Sequence, residues 1–218
     1  MVRPILFGFA FILFGCAMTF AADDAWTPLF NGMDTTGWMN SGAKAPNAGW
    51  VVEGGALIGQ KGPGDIWTKE RYGDFVLDLE FKTSGNSGVF IRTDKPTDNV
   101  QTGIEVQVDN PSTKPSKHSV GAIYDLVAPT KNVAKKDEWN HLVITAQGPK
   151  LKVELNGEPI AEMNLDEWKE GGKNPDGSVN KYKTALKDFK REGHIGFQDH
   201  GAGVSYRNVK LKKLGGSK

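Results

Sequence analysis

The sequence has very little of the residues that usually announce chemistry. Of its 218 residues only one is cysteine, Cys16, and four are histidine: His118, His141, His194 and His200. A single thiol forms no internal disulfide and no zinc site built on cysteine pairs. Net charge is also scarce, with 27 basic residues against 26 acidic ones. A balanced chain carries no electrostatic footprint for nucleic acid or an anionic membrane, so neither is expected as a partner. The GxGxxG, P-loop, HExxH and GxSxG patterns are missing. Their absence removes the dinucleotide, phosphate-cradling, zinc-protease and serine-hydrolase readings. No cofactor is expected, and no metal: the acidic loop at 94–99 lacks the spacing of an EF-hand.

Long apolar runs are limited to residues 5–14. Arg3 precedes that run and Thr19-Phe20-Ala21 follows it, which is the basic, apolar, small-residue order of a secretory leader. Residues 1–22 are therefore expected to be a signal peptide, and 23–218 one exported domain, periplasmic or secreted. The run is too short to span a bilayer comfortably. Cleavage near Ala22 removes Cys16 and leaves a domain without thiols. Leu13-Phe14-Gly15-Cys16 also resembles a lipoprotein signal, in which Cys16 stays and carries a lipid anchor. Phe14 is bulky where such signals carry a small residue. Removing Arg3 from the 27 basic residues leaves 26 against 26 acidic, and such a neutral chain suits a neutral ligand such as a sugar.

What the sequence does have is glycine, 27 residues of it, and short alternating segments. Phe75, Leu77, Leu79 and Phe81 fall on one face of a strand, and Val89 and Ile91 alternate with Phe90 and Arg92. Ile104, Val106 and Val108 alternate with Glu105, Gln107 and Asp109, and Leu151, Val153 and Leu155 with Lys150, Lys152 and Glu154. Asn156-Gly157 favours the left-handed angles of a tight hairpin turn, with Glu158 to Ala161 returning. Residues 205–214 read as a closing strand. The stretch 164–191 is polar and reads as a long loop with a short helical turn at 184–189. Many short half-buried strands predict an all-β fold, two antiparallel sheets packed face to face.

Function in a sandwich falls on a sheet face or in rim loops. Glu105, Gln107 and Asp109 share the outer side of one strand, about 7 Å apart in succession. Jelly-roll glucanases place catalytic carboxylates in this way, but Gln107 stands where a second carboxylate would be. The plain alternative is a solvated face. Gln198-Asp199-His200 is the second cluster, set where a strand runs into glycine. Histidine titrates near neutral pH and serves as acid or base, whereas the plain reading is a turn with His200 in water. Glu105, His200 and Asp199 are the candidate catalytic residues. Gln107, Gln198, Arg92, Tyr124, Lys131, Asn132 and His118 are candidate sugar contacts, with ion pairing as the alternative for Arg92. His141 is expected to be structural, and His194 to pack or to be exposed at the strand edge.

These segments occur in a recognisable order: LFNGMDTTGW, WVVEGGALIG, GDIWTKERYGDFVLDLEFK, GNSGVFIR, IEVQVDN, GAIYDLVAPTKN, EWNHLVITAQGPKLKVELNG and GHIGFQDHG. That order resembles the family first known as a domain of unknown function and later as the 3-keto-disaccharide hydrolase domain, over residues 26–214. The insert NPDGSVNKYKTALKDFKREG is also similar to that of some members. The resemblance implies a concanavalin A-like jelly roll acting on an oxidised di- or oligosaccharide. A ketone at C3 acidifies the C2 proton and lies β to the C1 oxygen, so it implies elimination followed by hydration. Glu105, Gln107 and His200 as a set suit the demand for a base, an acid and a carbonyl-polarising group, and the sequence does not say which residue takes which role. A jelly roll that binds carbohydrate without cleaving it is the competing reading.

Overall fold

The computed structural model describes residues 25–40, 49–60, 62, 64–201 and 203–215. The expected leader and Cys16 lie outside the described residues. The strands, in chain order, are β1 (Thr27–Pro28), β2 (Trp38–Asn40), β3 (Trp50–Glu53), β4 (Ala56–Gly59), β5 (Ile66–Thr68) and β6 (Phe75–Thr83). They continue as β7 (Ser87–Thr93), β8 (Ile104–Val108), β9 (Asn140–Gln147), β10 (Lys150–Leu155), β11 (Glu158–Asn164), β12 (His194–Phe197) and β13 (Val204–Lys213).

They form the two antiparallel sheets that the alternation predicts, a jelly-roll sandwich. One sheet runs β11-β10-β9-β6-β13-β4-β3, with β1 added beside β13; the other runs β2-β5-β12-β7-β8. The core lies between them. Phe75, Leu77, Leu79 and Phe81 of β6 point into it, all at most 1% exposed. They meet Val89, Ile91, Ile104, Val106, Val108, Ile195 and Phe197 from the smaller sheet. Each such side chain contributes roughly 1.5–3 kcal/mol by leaving water. Asn156 and Gly157 have φ of 52° and 81°, as the predicted β10–β11 hairpin turn requires.

The inserted stretch 164–191 is more built than its polarity suggests. Its two short 3-10 helices, Leu165–Glu167 and Leu186–Asp188, bury Leu165 and Leu186, and Trp168 and Tyr182 are buried beside them. Asn174 holds the loop together, accepting from Trp168 Nε1 at 2.8 Å and bonding the Ser178 carbonyl through its amide. The expected helical turn at 184–189 is the second 3-10 helix. This insert lies across the outer side of β8, where it bears on the site.

Candidate active site

The smaller sheet has an inner face in the core and an outer face that carries the chemistry. Alternation along its strands puts Trp67 of β5, Gly88 and Phe90 of β7, Glu105 and Gln107 of β8, and Gly196 of β12 on the outer side. β7 and β8 pair so that Phe90 is opposite Glu105, and Gly88 is opposite Gln107. Two glycines make room for what lies over them. A Cβ on Gly196 would fall 2.3 Å from the Trp67 ring, and one on Gly88 would fall 2.6 Å from Glu105 Oε1. Trp67 then tilts against Phe90 with centroids 5.6 Å apart.

Glu105 is the centre of this face, its side chain only 5% exposed. The loop after β8 returns along the strand, and the Tyr124 amide donates to the Glu105 carbonyl at 2.8 Å. That bond pins Tyr124 beside the carboxylate. Burial first, then the nearby Glu105 and Asp125 charges, push the Tyr124 phenol above its ordinary range. His118 leans on the Tyr124 ring at 4.8 Å and places Nε2 3.2 Å from Asp125 Oδ1. From the insert comes Lys181, whose Nζ is 3.0 Å from Glu105 Oε2 and 4.3 Å above the Tyr124 ring.

Gln107 donates from Nε2 to Asn86 Oδ1 at 2.9 Å, while its own Oε1 is buried with no partner among the described residues. The third member of the expected trio, Asp109, falls one residue past the strand. β8 ends at Val108, and the Asp109 carboxylate instead accepts from the next amide, Asn110, at 2.7 Å.

The second cluster is joined to the first through a residue the sequence did not single out. Asp65, just before β5, accepts from the Asp199 amide at 2.9 Å and from Asn99 Nδ2 at 2.7 Å. Asp199 accepts in turn from the amides of Gly64 and Gly201. Gln198 pairs with β7 through its backbone, and Ser87 Oγ donates to its carbonyl at 2.7 Å. His200 is exposed. Burial holds the Asp65 carboxyl up at about 6 against a usual 3.8. The Asp199 and Glu105 charges add to that rise, and His200 opposes it. Half-buried Asp65 thus lies within electrostatic reach of Glu105, Asp199 and His200.

The sign of the Asp65 shift sets a stability prediction. The folded state holds this proton to about pH 6 and the unfolded chain releases it near 3.8, so this group favours folding less as pH rises through that window. In Asp65→Asn that contribution is absent. Thermal melts should show the variant gaining on the wild type from pH 4 to pH 7, and a constant difference would contradict the assignment.

Three sequence candidates are elsewhere. Arg92 is turned inward rather than toward a sugar: its φ of +49° interrupts the alternation of β7, and its side chain is fully buried. It donates to the carbonyls of Gly73 and Gly148 at 3.0 and 2.7 Å and pairs with Asp74 at 2.8 Å. The ion-pair alternative is the correct one there. Lys131 pairs with Glu158 of β11, and Asn132 donates to the Ser112 carbonyl. Both belong to the segment between β8 and β9, at a point where it runs beside β11 and the Thr130 amide donates to the Ile160 carbonyl, rather than to the Glu105 face. His141 pairs with Asp78, in line with a structural role, and half-buried His194 at the start of β12 bonds the Thr68 carbonyl.

Known proteins share this fold, and some resemble the chain in sequence. A family model, the 3-keto-alpha-glucoside-1,2-lyase-like domain, matches residues 25–212. The chain is 26% identical over 229 residues to a 3-keto-disaccharide hydrolase of Bacteroides thetaiotaomicron, covering 88% of this chain and 79% of that protein. It is 30% identical to a Parabacteroides distasonis protein of known crystal structure, provisionally named a glycosyl hydrolase, with a TM-score of 0.78 over 87% of this chain and all of that one. A Bacillus subtilis protein of unknown function with a galectin-like fold shares the fold at 13% identity, TM-score 0.52, over 88% of this chain and 96% of that one.

Proposed function

The chain belongs to the 3-keto-alpha-glucoside-1,2-lyase-like family, and from that premise we propose that it is an enzyme cleaving the glycosidic bond of a disaccharide oxidised at C3. The observation that carries the reading is Glu105, a carboxylate almost closed to solvent on the outer face of the smaller sheet, facing other titratable groups. In an unoxidised sugar the C2 hydrogen is far too weakly acidic for a carboxylate to remove. With a ketone at C3, the charge left at C2 spreads onto the carbonyl oxygen, and Glu105 becomes a competent base. The C1 oxygen, β to the ketone, then departs and takes a proton. We assign that proton to Asp65, which keeps its own to about pH 6, or to His200. Water adds to the resulting enone to complete hydrolysis.

The alternative two-carboxylate route of ordinary glycosidases has less support. Gln107 is not an acid, and the Asp109 carboxylate, one residue past the strand, already accepts from the Asn110 amide. Binding without cleavage calls for exposed aromatic platforms, yet Trp38, Trp50, Trp67 and Trp168 are buried, and the exposed Trp26 and half-buried Trp139 pack against Lys210 and Arg207 of β13 in the larger sheet, away from the Glu105 face. Incubating the purified protein with a 3-keto disaccharide and with its unoxidised parent tests the proposal. Release of monosaccharides from the keto sugar alone is expected. Binding of both with cleavage of neither would transfer the case to the carbohydrate-binding reading.

A further inference from the structure

Lys181 stands apart from the other lysines that form ion pairs here. Lys117, Lys131, Lys152 and Lys173 meet acids that are about half exposed or more, and Lys210, itself 44% exposed, reaches Asp78 only at 3.9 Å, whereas Lys181 is 20% exposed and lies 3.0 Å from Glu105, whose side chain is 5% exposed. Its backbone is clamped on both sides. The Lys181 amide donates to Asp125 Oδ2 at 2.5 Å, and its carbonyl accepts from Gln101 Nε2 at 2.9 Å. Gln101 Oε1 also accepts from the Lys183 amide at 2.9 Å. The ammonium is seated over the Tyr124 ring and 5.4 Å from the centroid of Tyr182. A long, flexible side chain is thus held beside one carboxylate by four residues from three segments of the chain. A surface ion pair has no use for such support, since it adds little to stability.

Resting on the 3-keto-glycoside reading above, we propose that Lys181 is a catalytic residue that stabilises the enolate formed at C3. The C2 hydrogen and the C3 oxygen are on adjacent carbons, so a base and a donor in mutual hydrogen-bond contact reach both at once. Glu105 accepts the C2 proton; the C–H electron pair becomes the C2=C3 bond, and the carbonyl π pair moves to the C3 oxygen. Glu105 is now neutral and the sugar carries the negative charge. Lys181 remains an ammonium throughout, and its hydrogen bond passes from Glu105 to the enolate oxygen. The charge of the site stays constant while the proton moves, which matters most where water is nearly excluded. Collapse of the enolate re-forms C3=O, makes C1=C2 and breaks the C1–O bond, whose oxygen leaves with one proton. Water then adds hydroxyl at C1 and hydrogen at C2, so the sum is hydrolysis with no change of oxidation state.

The test compares wild type, Lys181→Met, Lys181→Arg and Lys181→Ala on one 3-keto disaccharide. Lys181→Met should lose about 10²- to 10³-fold in kcat, the range for removing one donor from a developing oxyanion, with KM changed only a few-fold. Lys181→Arg should retain part of the rate, and methylammonium or ethylammonium should restore Lys181→Ala in a concentration-dependent way. Turnover by Lys181→Met within threefold of wild type would overturn the proposal and leave the functional reading intact. Failure of the wild type itself to cleave the sugar would instead overturn that reading. A protein–sugar adduct trapped by borohydride would contradict the ammonium role, because it needs a neutral amine. Unfolding of both the Met and Ala variants, seen by circular dichroism, would assign the pair to stability and equally overturn it.

Discussion

Glu105→Gln is expected to lower turnover of a 3-keto disaccharide by about 10²- to 10⁴-fold, the usual contribution of a general base. The substitution keeps the shape of the side chain over Gly88 and leaves an oxygen for Lys181 to donate to, so circular dichroism should be unchanged. What disappears is the ability to hold a proton taken from C2. Because the carboxylate is nearly buried, no bulk water stands ready to replace it. Glu105→Asp is informative beside it: the charge remains but retreats by one methylene, and an intermediate rate is expected if position matters as much as charge. Turnover by Glu105→Gln within a factor of ten of wild type would place the base elsewhere, with Asp65 and Asp199 the next carboxylates to replace.

Arg92→Met should act on stability rather than on sugar. The guanidinium is fully buried, and its removal strands the Asp74 carboxylate and the carbonyls of Gly73 and Gly148. Breaking such a pair from one side typically costs about 3–5 kcal/mol, mostly from the charge left behind. Burial lowers the Arg92 guanidinium to about 10, with Asp74 working against that shift, so the residue stays charged at neutral pH. Urea unfolding should show the loss, while KM for the 3-keto sugar measured on folded protein stays near the wild-type value. A raised KM at unchanged stability would return Arg92 to the sugar site. Lysine is not expected to rescue it, since a single ammonium cannot meet three acceptors in the fixed directions of the guanidinium fork.

The sandwich itself was legible because period-two alternation is a local property. Phe75 to Phe81, Ile104 to Val108 and Leu151 to Leu155 each show their buried face in the order of their own residues, and Asn156-Gly157 marks its own turn. The same rule exposed Glu105 and Gln107, polar on the outer side of a strand. It did not locate the strand end one residue before Asp109, because alternation does not say where a strand stops, and it failed at Arg92 because a single positive φ breaks the period. Asp65 had a faint signal: it shares a face with Trp67 across Ile66 in the stretch GDIWT. Lys181 had none. It is one lysine in a polar insert, and only the folding of that insert across β8 brings it to a carboxylate 76 positions away. Lys131 and Asn132 show the converse, since a loop that reads as a rim can attach to the other sheet. Contacts between distant segments depend on topology, and side-chain pattern within a segment does not encode them.

The central claim is that the bond breaks through loss of the C2 proton. It is tested most directly by running the reaction in D₂O and following it by NMR at early times. The account predicts that the 3-keto disaccharide is cleaved while its unoxidised parent stays intact. The released 3-keto sugar should carry one solvent deuterium at C2 as soon as it forms, ahead of any exchange seen without enzyme. Cleavage of the parent at a comparable rate, or a 3-keto product formed with its original C2 hydrogen, would contradict it.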